Sequence, residues 1–325
     1  MAMMRYAEAL NLALREEMTR DPSVFLMGED IGTYGGVFKV SRGLMEEFGE
    51  SRVRDTPISE QAMTAMAVTA AMTGTRPVLE IMYADFLPLS LDALINQASI
   101  YEYIWNGQVQ MPFVLRTQGG GGAGAGAQHS KALDALVAHV PGLQVVAPVT
   151  PADARGLLKS AIRDPRPVIF LEHKLLYNTR GEVDTGAEDL VPIGKARIAR
   201  AGSDVSILAT SKMVIEAEKA ADLLAQDGIS AEVIDLRSLR PLDVATIQLS
   251  VAKTNRAVVV NEGWRFCGYA SEIAATIMEL CFDDLDAPVE RVTLPDMPVP
   301  YSEPLESAVL PNAQKICAAA KKTLA

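Results

Sequence analysis

The sequence predicts an α/β protein with mainly parallel strands, arranged as two successive units. Short apolar strand segments alternate with longer helical segments along most of the chain, which is typical of a parallel sheet covered by helices on both faces. The chain has 325 residues, of which 49% are apolar and 22% are charged. This length favours two domains, and this composition excludes a disordered or fibrous protein.

The first part of the chain contains the larger predicted unit. Helices are predicted where apolar residues recur at helical spacing, and strands where several apolar residues stand together. Ser59, just after Pro57, is in position to cap the second helix. In chain order the predicted elements are helix Met4–Thr19, strand Val24–Gly28, helix Ser59–Met72, strand Pro77–Met82, a long helix Asp85–Ile104, strands Pro112–Thr117 and Val145–Ala147, a helix opened by Thr150, and strand Val168–Leu171.

A polar segment then interrupts the alternation, and a second, smaller α/β unit follows it. The segment is interpreted as a linker, which divides the chain into domain 1–178, linker 179–201 and domain 202–325. The predicted elements of the second domain are strand Val205–Ala209, helix Met213–Gln226, strand Glu232–Asp235, helix Asp243–Ala252, strand Ala257–Asn261, helix Tyr269–Leu280, strand Val289–Leu294 and a final helix after Pro311.

Charge and composition exclude several classes of function. The chain has 30 Lys and Arg against 41 Asp and Glu, a net charge of −11, which argues against nucleic-acid binding but permits a basic protein partner. The three cysteines form no Cys-x-x-Cys motif, and the three histidines lack zinc-ligand spacing. No apolar stretch approaches the roughly 20 residues of a transmembrane helix, and the first residues do not form a secretory signal. A cytoplasmic protein is therefore expected.

The glycine-rich run 119–127 is the most unusual segment. It contains Gly122-x-Gly124-x-x-Ala127, a loose match to the dinucleotide-binding fingerprint. That fingerprint belongs to the first strand–helix turn of a domain, whereas this run lies in mid-domain and leads into Gln128-His129-Ser130. Two other interpretations remain: a flexible loop packed against neighbouring backbone, or a mobile loop that brings His129 to a site.

Glu60 is predicted to lie in the first turn of a helix that is apolar on all sides and therefore buried. A carboxylate is stabilised at a helix N-terminus, so an ordinary structural role is one explanation. A carboxylate at the head of a buried helix must nevertheless find a partner or change its pKa. This requirement favours a functional role.

Several motifs, in order and at matching spacing, resemble one enzyme family. The resemblance is to the beta subunit of the thiamine-diphosphate-dependent decarboxylating component of 2-oxo acid dehydrogenase complexes, of pyruvate or acetoin type. It covers nearly the whole chain. The motifs are Asp55-Thr-Pro-Ile-Ser-Glu60, Tyr83-Ala-Asp-Phe86, Asn96-Gln-Ala98, the glycine run ending in Ala127-Gln-His-Ser130, Pro141-Gly-Leu-Gln-Val-Val-Ala-Pro148, Leu171-Glu-His-Lys-Leu-Leu-Tyr177, Val233-Ile-Asp-Leu-Arg237 and Pro298-Val-Pro-Tyr301.

The resemblance implies a transketolase-like pyrimidine-binding domain followed by a transketolase C-terminal domain. It implies that Glu60 bonds the aminopyrimidine ring nitrogen of thiamine diphosphate and takes part in a proton relay within the cofactor. Phe86 would stack on the pyrimidine and Met82 would form an apolar wall, although core packing explains either residue equally simply. His129 would lie beside the reactive carbon and serve as the second catalytic residue.

The family's complete enzymes hold Mg²⁺ and the diphosphate with a Gly-Asp-Gly motif, and this sequence contains none. A diphosphate in a buried cleft needs a cation. The resemblance therefore implies an alpha subunit that supplies Mg²⁺ and half of each site, in an α2β2 heterotetramer, with a lipoyl-bearing acyltransferase as the acyl acceptor. Ala161, Ile162 and Asp164 also resemble a potassium-binding loop, but Arg166 stands where relatives have Asn.

The implied activity is that of an oxidoreductase subunit that cleaves a 2-oxo acid such as pyruvate, or acetoin, and transfers the acyl group to lipoyl. Pyruvate and acetoin both stay open. A split transketolase acting on sugar phosphates is the alternative, but no convincing set of phosphate-binding basic residues stands out. A relative that has lost its chemistry is a third possibility, against which the presence of Glu60, Phe86 and His129 argues.

Overall fold

The computed structural model describes residues 1–186 and 188–325, and Ala187, within the predicted linker, lies outside the described residues. The chain forms two compact units, one made of Met1–Gly119 and Leu136–Ile193, the other of Gly120–Ala135 and Gly194–Ala325. Residues 120–127 of the glycine-rich run thus belong to the second unit, although they lie within the sequence of the first. The boundaries 1–178, 179–201 and 202–325 stay predictions.

The first unit is built on a parallel sheet, as predicted. Six of its strands lie side by side in the order β6-β7-β5-β4-β2-β3, all parallel. Before residue 190 the strands are β1 Ala2–Arg5, β2 Val24–Gly28, β3 Val53–Asp55, β4 Arg76–Ile81, β5 Val114–Gly119, β6 Gln144–Val146, β7 Val168–His173 and β8 Arg180–Val183. The helices are α1 Tyr6–Arg20, α2 Leu44–Phe48, α3 Glu60–Met72, α4 Leu87–Ala93, α5 Tyr101–Ile104, α6 Asp134–Ala138 and α7 Pro151–Arg163.

The N-caps of α7 and α3 differ in this unit. Thr150 caps α7: its hydroxyl oxygen accepts the backbone N–H of Asp153 at 3.0 Å. Ser59 lies at the N-cap position of α3, but its side chain makes no capping hydrogen bond with any residue that the structure describes. The predicted N-cap position of Ser59 is therefore confirmed, but the hydrogen bond expected from its side chain is not formed.

The single long helix predicted for Asp85–Ile104 is also wrong. The segment consists of a 3₁₀ turn Ala84–Phe86, then α4, a π-helical stretch Leu94–Ala98, and the short α5. The N–H of Ser99 donates to the carbonyl of Leu94 at 3.0 Å, five residues back, which shifts the helical register before α5 begins. Residue periodicity does not reveal such a change, because apolar side chains continue on both sides of it.

The predicted linker contains two strands. β8 pairs with β1 in an antiparallel ribbon, with Ala2 opposite Val183 and Arg5 opposite Arg180. The second strand, β9 Arg197–Arg200, lies antiparallel to a strand of the second unit. Both strands carry polar side chains and are held by backbone hydrogen bonds, so the apolar pattern does not predict them.

The second unit has a five-stranded sheet in the order β14-β13-β10-β11-β9, parallel except for β9. Its strands after β9 are β10 Val205–Ala209, β11 Ala231–Asp235, β12 Ser238–Arg240, β13 Ala257–Trp264 and β14 Glu290–Leu294. Its helices are α8 Met213–Gln226, α9 Val244–Thr254, α10 Tyr269–Cys281, α11 Glu303–Val309 and α12 Ala313–Leu324. The described residues include no helix long and apolar enough to cross a membrane.

Candidate active site

Glu60 lies where the sequence places it, at the first residue of α3, and only 7% of its surface is exposed. Strand β3 ends five residues earlier, so Glu60 lies just beyond the carboxyl end of the parallel sheet, which is the usual place for a site in this class of fold. Helix α3 buries Met63, Ala67 and Val68 on its inner side, which fixes the helix and the carboxylate at its head. The helix N-terminus favours a negative charge at this point.

Met82 and Phe86 lie at the same edge of the first unit. Met82 directly follows β4, and Phe86 ends the 3₁₀ turn that precedes α4. Both residues are half-buried. Helix α4 is tied to α3 because the Thr64 hydroxyl donates to the carbonyl oxygen of Glu60 at 2.7 Å and shares a hydrogen bond with the Ser90 hydroxyl at 2.8 Å. The first unit therefore places an aromatic ring and a thioether near the start of α3.

A second carboxyl group, Glu29, was missed by the sequence reasoning. It directly follows β2, is 8% exposed, and its Oε1 has no hydrogen-bond partner among the described residues. Burial raises the pKa of Glu29, and the negative charges of Glu60, Asp30 and Glu80 raise it further. Glu29 thus keeps its proton more readily than an ordinary glutamate. Its position after a buried strand of the parallel sheet was the signal in the sequence.

A buried ion cluster lies across three neighbouring strands of the same unit. Arg116 on β5 makes a two-bond pair with Glu172 on β7, at 2.7 and 2.9 Å, and also donates to Glu80 on β4 at 2.8 Å. Gln118 donates to Glu80 at 3.1 Å, and the Tyr177 hydroxyl donates to Glu172 at 2.5 Å. All five side chains are buried.

Electrostatics hold Arg116 in its charged form. Burial alone would lower the pKa of Arg116, but the carboxylates of Glu172 and Glu80 outweigh burial and raise it. Paired carboxylates on both sides leave the guanidinium little freedom to move. The cluster therefore fixes β4, β5 and β7 near the ends at which the candidate site lies.

His129 belongs to the second unit, whereas Glu60, Met82 and Phe86 belong to the first. It is half-buried, and its backbone N–H donates to the carbonyl of Gly126 at 3.3 Å. The glycine run before it is not a free loop, because its backbone amides are bonded to side chains. Gly121 donates to Glu262, and Gly122 and Gly124 donate to Glu306 at 2.8 and 3.0 Å. Packing against neighbouring backbone, the first of the two interpretations, therefore does not by itself describe this run, because two buried carboxylates also bind it.

The residues of the candidate potassium loop lie at the end of α7. Ala161 and Ile162 are buried in its last turn, and Asp164 follows it. The carbonyl oxygens of Ile162 and Asp164 accept hydrogen bonds from Nη1 of Arg76 at 2.8 and 3.3 Å. The Asp164 carboxylate pairs with Arg166 at 3.1 Å; burial raises its pKa, but the hydrogen bonds from Arg166 outweigh burial and leave that pKa below its usual value.

No cluster of three or more His, Cys, Asp or Glu side chains suited to a metal ion occurs among residues 1–186 and 188–325. The guanidinium groups of Arg76 and Arg166 lie directly beside the candidate potassium loop.

Comparison with known proteins agrees with this architecture. Residues 2–180 match the transketolase pyrimidine-binding domain family, and residues 194–316 match the transketolase C-terminal domain family. Among solved structures, a split-gene transketolase described as an inactive beta4 tetramer superposes with a TM-score of 0.80, covering 99% of this chain and 98% of that chain. The two sequences are 23% identical, so this likeness concerns the fold alone.

Two curated relatives are much closer in sequence. Subunit beta-2 of the mitochondrial pyruvate dehydrogenase E1 component of Oryza sativa subsp. japonica is 51% identical over 322 residues, which cover 98% of this chain and 86% of that protein. The beta subunit of an acetoin:2,6-dichlorophenolindophenol oxidoreductase of Cupriavidus necator is 46% identical over 326 residues, with coverage of 97% and 96%. With identity this high along almost its full length, the chain belongs to the family of pyruvate and acetoin dehydrogenase beta subunits.

Proposed function

We propose that this chain is the beta subunit of a thiamine-diphosphate-dependent dehydrogenase component that cleaves pyruvate or acetoin and transfers the acyl group to a lipoyl-bearing partner. The observation that carries the proposal is the buried Glu60 at the head of an apolar helix, with Met82 and Phe86 at the same edge of the sheet. The rice relative is a pyruvate dehydrogenase subunit and the Cupriavidus relative is an acetoin oxidoreductase subunit, so both substrates stay open. The split-transketolase alternative has only the likeness of fold in its favour.

The residues of the first unit suit the aminopyrimidine end of the cofactor. A flat aromatic ring needs apolar contact on its faces and a hydrogen-bonding group at its edge, which Phe86, Met82 and Glu60 would provide. Glu60 would hold and exchange a proton at the ring nitrogen, in a position from which water is largely excluded. Thiamine diphosphate supplies the electron sink for cleavage of the bond beside the substrate carbonyl.

An alpha subunit should complete the site. This chain has no Gly-Asp-Gly motif, and its described residues offer no carboxylate cluster for Mg²⁺. We therefore infer that the alpha subunit holds Mg²⁺ and the diphosphate, in an α2β2 assembly that passes the acyl group to a lipoyl-bearing acyltransferase core. The cytoplasmic location stays a prediction. Potassium at Ala161, Ile162 and Asp164 is a further proposal, which equal melting temperatures in KCl and NaCl would contradict.

The first test concerns the divided site. We expect the purified chain by itself to show no turnover and no tight binding of thiamine diphosphate, because the part of the site that neutralises the diphosphate is missing. Isothermal calorimetry with Mg²⁺ measures this, and the same titration after addition of the alpha subunit is the control. Micromolar, Mg²⁺-dependent binding to this chain alone would show that the site is not divided.

The second test concerns His129. An imidazole can donate a proton to a lipoyl sulfur during acyl transfer, because it exchanges protons near neutral pH. His129→Ala should therefore lower overall complex activity, which needs lipoyl acylation, more than it lowers cleavage measured with an artificial electron acceptor. His139→Ala is a matched control within the same chain. Equal losses in the two assays would place His129 in substrate cleavage, and no loss in either would make it a structural histidine.

A further inference from the structure

The backbone of residues 120–127 alternates between two conformations. Gly120, Gly122, Gly124 and Gly126 all have positive φ, between 65° and 88°, whereas the residues between them do not. Alanine appears only at the intervening positions 123, 125 and 127, which need no glycine. Alternation of this kind turns successive backbone N–H groups towards one side of the chain, and the resulting concavity, called a nest, binds anions.

The anion in this nest is a side chain of the protein itself. Glu306 accepts the N–H of Gly122 with Oε1 at 2.8 Å and the N–H of Gly124 with Oε2 at 3.0 Å. Glu306 is 2% exposed and lies on α11, and Glu262 accepts the adjacent N–H of Gly121. The loop also lies close to the residues that flank this helix. A Cβ at Gly126 would come within 3.0 Å of the Tyr301 ring, and a Cβ at Gly121 within 2.9 Å of Leu310.

The other end of the segment is held as well. Gly120 donates to the carbonyl of Lys131 at 3.1 Å, and the Asn261 amide donates to the carboxylate of Asp134 at 2.6 Å. His129 lies in the chain between the nest and these hydrogen bonds. Its backbone N–H donates to the carbonyl of Gly126, the last residue of the loop with positive φ. The conformation of the nest therefore determines where His129 can lie within this unit.

We propose that Glu306 is a positioning residue for His129: its carboxylate fills the glycine nest and fixes the loop that presents the imidazole. The role assigned to the imidazole rests on the function proposed above, whereas the fixing of the loop does not. A carboxylate suits this role because its two oxygens each accept one N–H, and because hydrogen bonds to a charged acceptor are the stronger kind. A glutamine would match only one N–H and would turn its own NH₂ group towards the other.

Hydrogen exchange of the full-length chain, read by mass spectrometry, tests the fixing of the loop directly. Glu306→Gln should accelerate amide exchange in the peptide that covers residues 120–127 by about tenfold or more, which corresponds to the loss of one charge-assisted hydrogen bond. Glu303→Gln is the matched control, because Glu303 lies exposed on the same helix. Equal exchange in the parent and in Glu306→Gln would overturn the proposal, as would faster exchange spread over the whole chain.

A second variant, Gly124→Ala, changes the backbone of the loop and leaves α11 unchanged. Gly124→Ala meets no atom within 4 Å but disfavours the φ of 65° that the nest needs. It should reproduce the faster exchange of residues 120–127. Gly228→Ala is its control, because that glycine has φ of 77° and open space but lies outside the loop. Faster exchange of the loop in both alanine variants, or in neither, would overturn the proposal.

Activity separates positioning from a general structural role. In the complete complex, Glu306→Gln should lower lipoyl-dependent activity more than artificial-acceptor activity, as expected for His129→Ala. The double variant should lose little more than His129→Ala alone, because residues that act through one group are not additive. Additive losses would overturn the positioning role. If the parent complex shows neither activity, the proposed function is contradicted, whereas the hydrogen-exchange result on the loop still holds.

Discussion

Replacement of Glu60 by Gln should abolish turnover while the fold and the assembly with the alpha subunit stay intact. Gln has the size of Glu and can remain buried at the head of α3, but it cannot take up and release a proton. A positioned proton donor contributes about a hundredfold or more to the rate. Steady-state activity of the assembled enzyme measures the effect, and circular dichroism and gel filtration verify folding and assembly.

The matched control for this variant is Glu272→Gln. Glu272 also lies in the first turn of a helix, α10, but it is exposed. Its replacement should leave activity unchanged. This result would show that loss of a negative charge at a helix N-terminus does not by itself lower activity, so that the effect at Glu60 comes from loss of proton exchange. Activity of Glu60→Gln above about a tenth of the parent's would contradict the proton-exchange role, given the hundredfold expectation.

Replacement of Arg116 by Met should produce the largest loss of stability. The variant leaves the carboxylates of Glu80 and Glu172 buried without their cation, and removal of one partner from a buried ion pair costs about 3–5 kcal/mol. In a unit of this size that corresponds to a fall of roughly 6–20 °C in melting temperature. Differential scanning calorimetry of the purified chain measures it.

Two comparisons make this result specific. Arg15→Met removes a partly exposed pair with Glu47, whose side chains are 38% and 42% exposed, and should cost less than about 1 kcal/mol. The triple variant Arg116→Met, Glu80→Gln, Glu172→Gln no longer buries unpaired charges and should recover part of the lost stability. A melting temperature of Arg116→Met equal to that of Arg15→Met would show that the cluster does not stabilise the sheet.

The elements that sequence analysis located correctly are those with strong local patterns. The strands Val24–Gly28 and Val205–Ala209 agree with the structure to the residue, and α3 begins one residue after its predicted start. Apolar runs of four to six residues between helical segments leave few other arrangements. Glu60 could be located at the head of its helix for the same reason.

The features that the sequence did not reveal depend on contacts between distant residues. Glu306 is 184 residues away in the sequence from Gly122, whose N–H it accepts. Arg116 and Glu172 are 56 residues apart. A charged residue within an apolar strand, such as Arg116, implies that an opposite charge is buried beside it. No pattern within a window of ordinary length indicates which opposite charge is the partner.

The β1–β8 ribbon places the beginning and the end of the first unit side by side. Ala2 lies opposite Val183, ten residues before the unit ends at Ile193, so the first strand of the unit and its last strand are hydrogen-bonded neighbours. A module with adjacent ends can be spliced into another polypeptide, or circularly permuted, without threading or stretching its fold. The ribbon thus gives this unit neighbouring ends, and residues 120–135, which belong to the second unit, are the one segment that such a rearrangement would have to keep in place.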